Sequence, residues 1–328
     1  MSSSSSDHDG LFLAPAPPAG PIRDSILALL LTGRADPCSP AIDSFLDYVH
    51  QQRLDLSHLW AAYQNNTPIA AALALACAGK TAMVWTHPLI QASQIPIASK
   101  LLRALLQSLK PQQIHLVQTL LESSQKHAAQ AFLNADFSSL ATLIYMQAPS
   151  HLLANPIPTS TANPATSAFS TCIPGLPPHI QVFHWHESLR DRFAQTINAT
   201  YEQTLDCPAL RGCRDIHDII ETHMAVGQFN PQFWFLLESH NQPVGVILLN
   251  PLQEQSALEL VYLGITPAWR QQGLSKILLR YALHLTAQQG LTQLLCAVDQ
   301  QNTPALHLYQ HAGFVATGKK TAFIRLLS

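Results

Sequence analysis

Charge is scarce in this chain. Only 12% of its 328 residues are Asp, Glu, Lys or Arg, and 18 basic side chains against 20 acidic ones leave a formal net charge of -2. Such a surface carries no electrostatic footprint for nucleic acid or for an anionic membrane, so neither is expected as a partner. The six cysteines (Cys38, Cys77, Cys172, Cys207, Cys213, Cys296) form no C-x-x-C pair. With no metal-ligand spacing either, they read as reduced thiols of a cytoplasmic protein. His184 and His186 flank Trp185 without a third ligand in view, so no metal is expected. Apolar runs such as Ile69 to Ala78 are too short to cross a bilayer. The serine run after Met1 lacks the basic and apolar regions of a secretory signal, so a soluble protein is expected. Glycine is sparse as well, with none between Gly79 and Gly175. No G-x-x-x-x-G-K-[ST] loop occurs, which excludes a nucleotide P-loop, and the three-glycine dinucleotide fingerprint is missing too.

What is present is core-forming material, 47% hydrophobic over a length that accommodates two domains. Residues 1–22 are Ser-rich, then Ala/Pro-rich, and read as a disordered tail. A first domain is expected over 23–148. Its helices are read at Arg23 to Thr32, Pro40 to Gln52, Ile97 to Leu109 and Ser124 to Asn134, and its strands at Leu59 to Tyr63, Ile69 to Ala78, Thr81 to Trp85, Ile114 to Leu121 and Leu140 to Met146. Residues 149–178 are dense in Pro, Ser and Thr and read as a linker. A second domain is expected over 179–328, with the same order of elements. Echoes support a duplication: Trp60 with Pro68-Ile69 parallels Trp234 with Pro243-Val244, and Phe132 to Phe137 parallels Tyr309 to Phe314. The fold class is therefore α/β, a mixed sheet with helices on both faces, built twice.

Leu258 to Gln289 is the stretch with the clearest local logic. Leu258 to Ile265 reads as a strand stopped by Thr266-Pro267. Leu274, Ile277, Leu278, Tyr281, Ala282 and Leu285 follow the spacing of a buried helix face, and Gly290 supplies a stop. Between them lies Arg270-Gln271-Gln272-Gly273-Leu274-Ser275. A loop that leaves N–H groups free at a helix N-terminus binds anions, because those donors have no intrahelical partner and the helix dipole favours negative charge. An ordinary β–α turn is the alternative.

R-x-x-G-x-S after a strand ending in Gly-Ile-Thr-Pro resembles the pyrophosphate loop of the GNAT superfamily of acetyltransferases, [RQ]-x-x-G-x-[GA], with Ser275 departing at the last position. The resemblance implies that Arg270, Gln271, Gln272, Gly273, Leu274 and Ser275 hold the pyrophosphate of acetyl-CoA, with main-chain groups around Leu263 and Ile265 pairing with its pantetheine arm. N-x-x-A-x-x-x-Y-x-x-x-G-F, from Asn302 to Phe314, is similar to the family's late helix. It implies Tyr309 as the acid that protonates the leaving thiolate and Asn302 as a coenzyme contact; a core tyrosine and a helix-cap asparagine are the alternatives. Two copies in one chain resemble the mycothiol synthases, tandem GNAT enzymes. Their strand E-V-Y-V-V-G-V-D-P, here E-L-V-Y-L-G-I-T-P, implies Glu259 as general base, against a plain strand-end carboxylate. The first copy has no glycine to build such a loop after Thr86-His87-Pro88, and carries Phe132 at the place of Tyr309. It reads as degenerate.

Tyr201 to Gly212 lies where GNAT domains build the acceptor pocket, and Tyr201, Thr204, Asp206, Cys207 and Arg211 form a polar set fit for one. A structured surface loop is the other reading. The expected function is transfer of acetyl from acetyl-CoA to the primary amine of a small molecule or a peptide by the second domain. A non-catalytic acyl-CoA-binding protein is the rival from another class, and acetylation of a protein N-terminus or lysine the weaker one.

Overall fold

The computed structural model describes residues 10–150 and 170–327. Most of the expected linker, residues 151–169, and the first nine residues of the expected tail therefore lie outside the described part. The chain divides into two compact units, residues 1–140 with 320–328, and residues 141–319. Each has its own hydrophobic cores. The division does not fall in the linker, because each unit takes one strand that the order of the chain would assign to the other.

The first unit begins with β1 (Leu11–Pro15), which lies within the expected tail and pairs antiparallel with β2 (Leu59–Gln64), Phe12 opposite Tyr63. Two helices come between them, α1 (Pro21–Thr32) and α2 (Pro40–Gln51). Each starts on a proline, whose missing N–H costs nothing in the first turn. The sheet continues through β3 (Thr67–Cys77), β4 (Thr81–Thr86) and β5 (Leu116–Leu121). Its last partner is the end of the final strand, with Thr321 opposite Leu121. The period of two decides the layers. Leu59, Ala61, Tyr63, Ala71 and Leu73 face α1, while Ala62, Ala70, Ala72 and Ala74 face α3 (Ile95–Leu109) and α4 (Lys126–Asn134).

The second unit runs β6 (Ser138–Pro149), β7 (Ser170–Thr171), β8 (Ile180–His184), α5 (Arg190–Thr200), α6 (Ile216–Met224), β9 (Trp234–Ser239), β10 (Gln242–Leu252), β11 (Ala257–Ile265), α7 (Leu274–Gln288), β12 (Gln293–Asp299), α8 (Thr303–His311) and the start of β13 (Val315–Leu326). Its strands lie in the order β6-β12-β11-β10-β9-β8-β7. Phe235, Leu237, Ile247, Leu249, Leu258 and Leu260 pack on α7 and α8, while Trp234, Leu236, Val246 and Leu248 pack on α5 and α6. Among the described residues no helix is long and apolar enough to cross a membrane.

The repeat read in the sequence is a repeat in the pairing. β2-β3-β4 and β9-β10-β11 are antiparallel meanders, each with a bulge between its first two strands. Each meander then pairs in parallel with the next strand for three positions only, Thr81–Met83 with Leu116–Gln118 and Ala257–Glu259 with Gln293–Leu295. The echoing segments are built alike as well. Phe137 donates its N–H to the Phe132 carbonyl at 3.1 Å, and Phe314 donates to Tyr309 at 3.0 Å. Asp136 and Gly313 share the left-handed backbone, φ 62° and 89°. The two units are GNAT-like folds in tandem.

Candidate functional site

A cavity of about 510 Å³ opens in the second unit where β11 and β12 part. The parting follows from the register: pairing ends at Glu259 and Leu295, although β11 runs on to Ile265 and β12 to Asp299. Past Glu259 the main chain of β11 therefore bonds β10 on one side and faces the cavity on the other. A bulge between Leu248 and Leu249 sets Leu248 opposite Tyr262 and Leu249 opposite Leu260, leaving Val261 as the extra residue. One extra residue inverts the alternation. Leu258 and Leu260 before the bulge, and Leu263 and Ile265 after it, thus share the α7 face, and Tyr262 turns to the α5 face. There its hydroxyl lies 2.7 Å from Thr200 Oγ1. Gly264 makes room for this: a Cβ would stand 2.7 Å from Thr200 Oγ1 and 2.8 Å from Tyr262 Cε1.

The loop after β11 ends in a left-handed pair, Gln271 at φ 62° and Gly273 at φ 79°. Lys276 and Ile277 already donate to the Gly273 carbonyl, at 3.1 and 3.2 Å. The N–H groups of Gln271, Gln272, Gly273, Leu274 and Ser275 meet no acceptor among the described residues. Nothing stands within 4 Å of where a Gly273 Cβ would be, so the space over these donors is open. The Arg270 side chain has a different task. Its guanidinium donates to the carbonyls of Ile265, Thr200, Glu202 and Gln203 at 3.1, 3.0, 2.7 and 3.3 Å. It thereby caps the C-terminus of α5, whose last carbonyls have no helical partner, and pins the loop to it.

Leu263, Ile265, Arg270, Gln271, Gly273, Leu274, Ser275, Asn302 and Tyr309 all line the cavity. Gln272 does not; its side chain donates to the Ala268 carbonyl at 3.1 Å. Asn302 does two things at once, since its Oδ1 caps α8 by accepting from Ala305 N–H at 3.3 Å. Tyr309 is 8% exposed, and its hydroxyl has no hydrogen bond among the described residues. Burial above all, with Cys296, Asp206 and Tyr262 adding, pushes its phenol well above the ordinary range. It stays protonated.

Of the acceptor set, Thr204 and Asp206 line the cavity; Tyr201, Cys207 and Arg211 do not. Tyr201 packs edge-on against Tyr262, ring centroids 5.8 Å apart. Cys207 donates its N–H to Asp299 Oδ2 at 3.2 Å, and burial pushes its thiol up to about 12. Arg211 is exposed. Glu259 is not among the lining residues either. It is half-buried, without hydrogen bond or ion pair among the described residues, and burial raises its carboxyl above the usual range. Among the lining residues that were not foreseen are Thr200, Tyr262, Lys276 and Leu308. Lys276, the first charge after the glycine loop, was findable from its place in the first turn of α7.

The matching helix of the first unit starts differently. Gln94 Oε1 accepts from the N–H groups of Ile90 and Gln91, both at 2.9 Å, and Pro96 has no N–H to offer. A glutamine side chain thus occupies N–H groups just before that helix.

Residues 197–314 match the model of the acetyltransferase (GNAT) family. N-acetyltransferase family 8 member 7 of Mus musculus is 31% identical over 109 residues, 32% of this chain and 47% of its own. Mycothiol acetyltransferase of Thermobifida fusca is 38% identical over 56 residues, 17% of each chain. The chain thus spans about half the length of the family 8 protein. In fold, nearly the whole chain superimposes on a GCN5-related N-acetyltransferase from Sphaerobacter thermophilus, with a TM-score of 0.56 at 16% identity over 97% of this chain and 96% of that one.

Proposed function

We propose that the GNAT domain this chain carries in its second unit is an acetyl-CoA-dependent N-acetyltransferase, with the first unit a degenerate copy that serves as scaffold. The observation that carries the reading is the parted β11–β12 pair opening onto free N–H groups at the start of α7. The residues fit the coenzyme: uncovered donors and Lys276 suit a pyrophosphate, and the free edge of β11 suits an amide-bearing arm that pairs as a strand does. Bound there, acetyl-CoA supplies an acetyl group activated as a thioester. The residues of this chain do the rest.

The acceptor amine must lose a proton before it attacks, and the departing sulfur must gain one. Tyr309, protonated and lining the cavity, is the donor. Glu259 is the acceptor of the amine's proton. Desolvation lifts its carboxyl toward neutrality, where a general base works best, and its position outside the lining calls for an intervening water. The acceptor is a primary amine of a small molecule or a peptide. Full-length protein with acetyl-CoA, screened against a panel of primary amines for release of free thiol, tests the reading. Turnover with at least one amine is expected. Coenzyme A binding with no thiol release across the panel favours the non-catalytic rival, and no coenzyme A binding overturns both.

A further inference from the structure

The α5–α6 connection is tied to the end of β12 by a reciprocal latch. Asp206 Oδ1 accepts from the Asp299 N–H at 3.3 Å, and Asp299 Oδ2 accepts from the Cys207 N–H at 3.2 Å. Asp299 Oδ1 also accepts from Gln301 N–H at 2.9 Å, so its 3%-exposed carboxylate is spent on the main chain. Cys207 sits at φ 44°, a left-handed conformation uncommon for a non-glycine residue, which here brings both bonds into reach. What the latch presents is the Asp206 carboxylate. Its Oδ2 has no partner among the described residues, and neither Asp206 nor Asp299 joins an ion pair there. Asp206 lines the same cavity as Tyr309, a nine-tenths-buried side chain whose hydroxyl is also unpartnered. One carboxylate, that of Asp206, thus lines the cavity with the buried carboxylate of Asp299 latched behind it and no ion pair to either among the described residues, while the cavity's other polar wall, at the start of α7, is built for an anion.

We propose that Asp206 selects the acceptor: it holds an amine that enters as a cation and discriminates against amines that carry a carboxylate. The inference rests on the reading of the cavity as an acyltransferase site, and names the acceptor class within it. Burial first, and the Asp299 carboxylate after it, hold the Asp206 pKa above the ordinary carboxylate range, and an ammonium there offsets the repulsion. A carboxylate-bearing amine meets that repulsion instead, and like-charge juxtaposition is what excludes wrong partners.

The test is isothermal titration of the full chain, saturated with coenzyme A, with 1,4-diaminobutane and with 4-aminobutanoate, probes of similar length that differ in the charge of one end. Wild type is expected to prefer the diamine by about ten- to a hundred-fold, the range for a charge-assisted contact. Asp206→Asn keeps an oxygen for the Asp299 N–H and should erase most of the preference; Asp206→Glu should restore part of it. Equal binding of both probes by wild type, a preference for 4-aminobutanoate, an unchanged preference in Asp206→Asn, or failure of the diamine to bind while coenzyme A binds would each overturn the inference. Failure to bind coenzyme A at all would instead overturn the reading beneath it.

Discussion

Tyr309 and its counterpart Phe132 put one atom under a lens. Both rings are buried on the same turn of matching helices, Phe132 against Phe137 at 4.9 Å and Tyr309 against Phe314 at 5.4 Å. Packing therefore tolerates the ring without its hydroxyl, and only the unit with the open loop keeps the oxygen. Tyr309→Phe should leave thermal stability and coenzyme A binding near wild type while lowering kcat by about 10²-fold or more, the usual share of a positioned proton donor. Undiminished steady-state turnover would assign the tyrosine to the core. For Glu259 the expectation lies in the pH profile. Its raised carboxyl must be ionised to accept a proton, so kcat/KM should fall as pH drops through a value above the ordinary carboxylate range. Glu259→Gln should abolish that limb and lower kcat by roughly 10² to 10⁴-fold. A limb that persists in Glu259→Gln belongs to another group, and Asp206, also raised, is the first to test. Proximity in the motif was legible for both residues. The side of the strand that Glu259 takes was not, because it depends on where the Val261 bulge resets the alternation.

At the scale of elements, the sequence held what is local. β11, the glycine loop and α7 follow from a change of period at Thr266-Pro267, and the structure has them within a residue of the expected ends. Composition misled at β1, where averaging over Ala and Pro hid Leu11 and Leu13, which pack on the core of the first unit. Partner choice was not legible at all. Nothing in the periodicity of β6 or β13 says which strands either pairs with, because alternation fixes the faces of a strand and leaves its neighbours open. The loop itself yields a graded prediction. Gly273 has a left-handed φ but open space around its missing Cβ, so Gly273→Ala pays only backbone strain, about 1 kcal/mol, and should bind coenzyme A weakly but measurably. Gly273→Glu adds bulk and negative charge over the same N–H groups and should abolish binding by titration. Equal affinity in both variants would mean that the loop does not face the coenzyme. Arg270→Ala should act through α5: it frees carbonyls at the end of that helix, so the melting temperature should fall together with coenzyme affinity.

At the scale of the whole chain, duplication has left two copies of one wedge-and-helix device with different fates. In each, a meander ends in a short parallel pairing that releases its strand toward a helix N-terminus. The second copy keeps those N–H groups open over Gly273. The first turns Gln94 Oε1 onto the Ile90 and Gln91 N–H groups just before its helix and gives up a donor to Pro96. Closing the turn in this way costs the fold little, since a glutamine side chain supplies an acceptor for those N–H groups. The expected stoichiometry is therefore one coenzyme A per full-length chain by titration calorimetry, and Gly273→Glu should reduce it to none. A second site of comparable affinity, or residual stoichiometric binding in Gly273→Glu, would show that the first unit still takes the ligand. Gln94→Ala sharpens the test. It uncovers the Ile90 and Gln91 donors without altering the second unit, and should lower stability by about 1 kcal/mol as a lost cap does. With Pro96 and no glycine in place, it should create no second site.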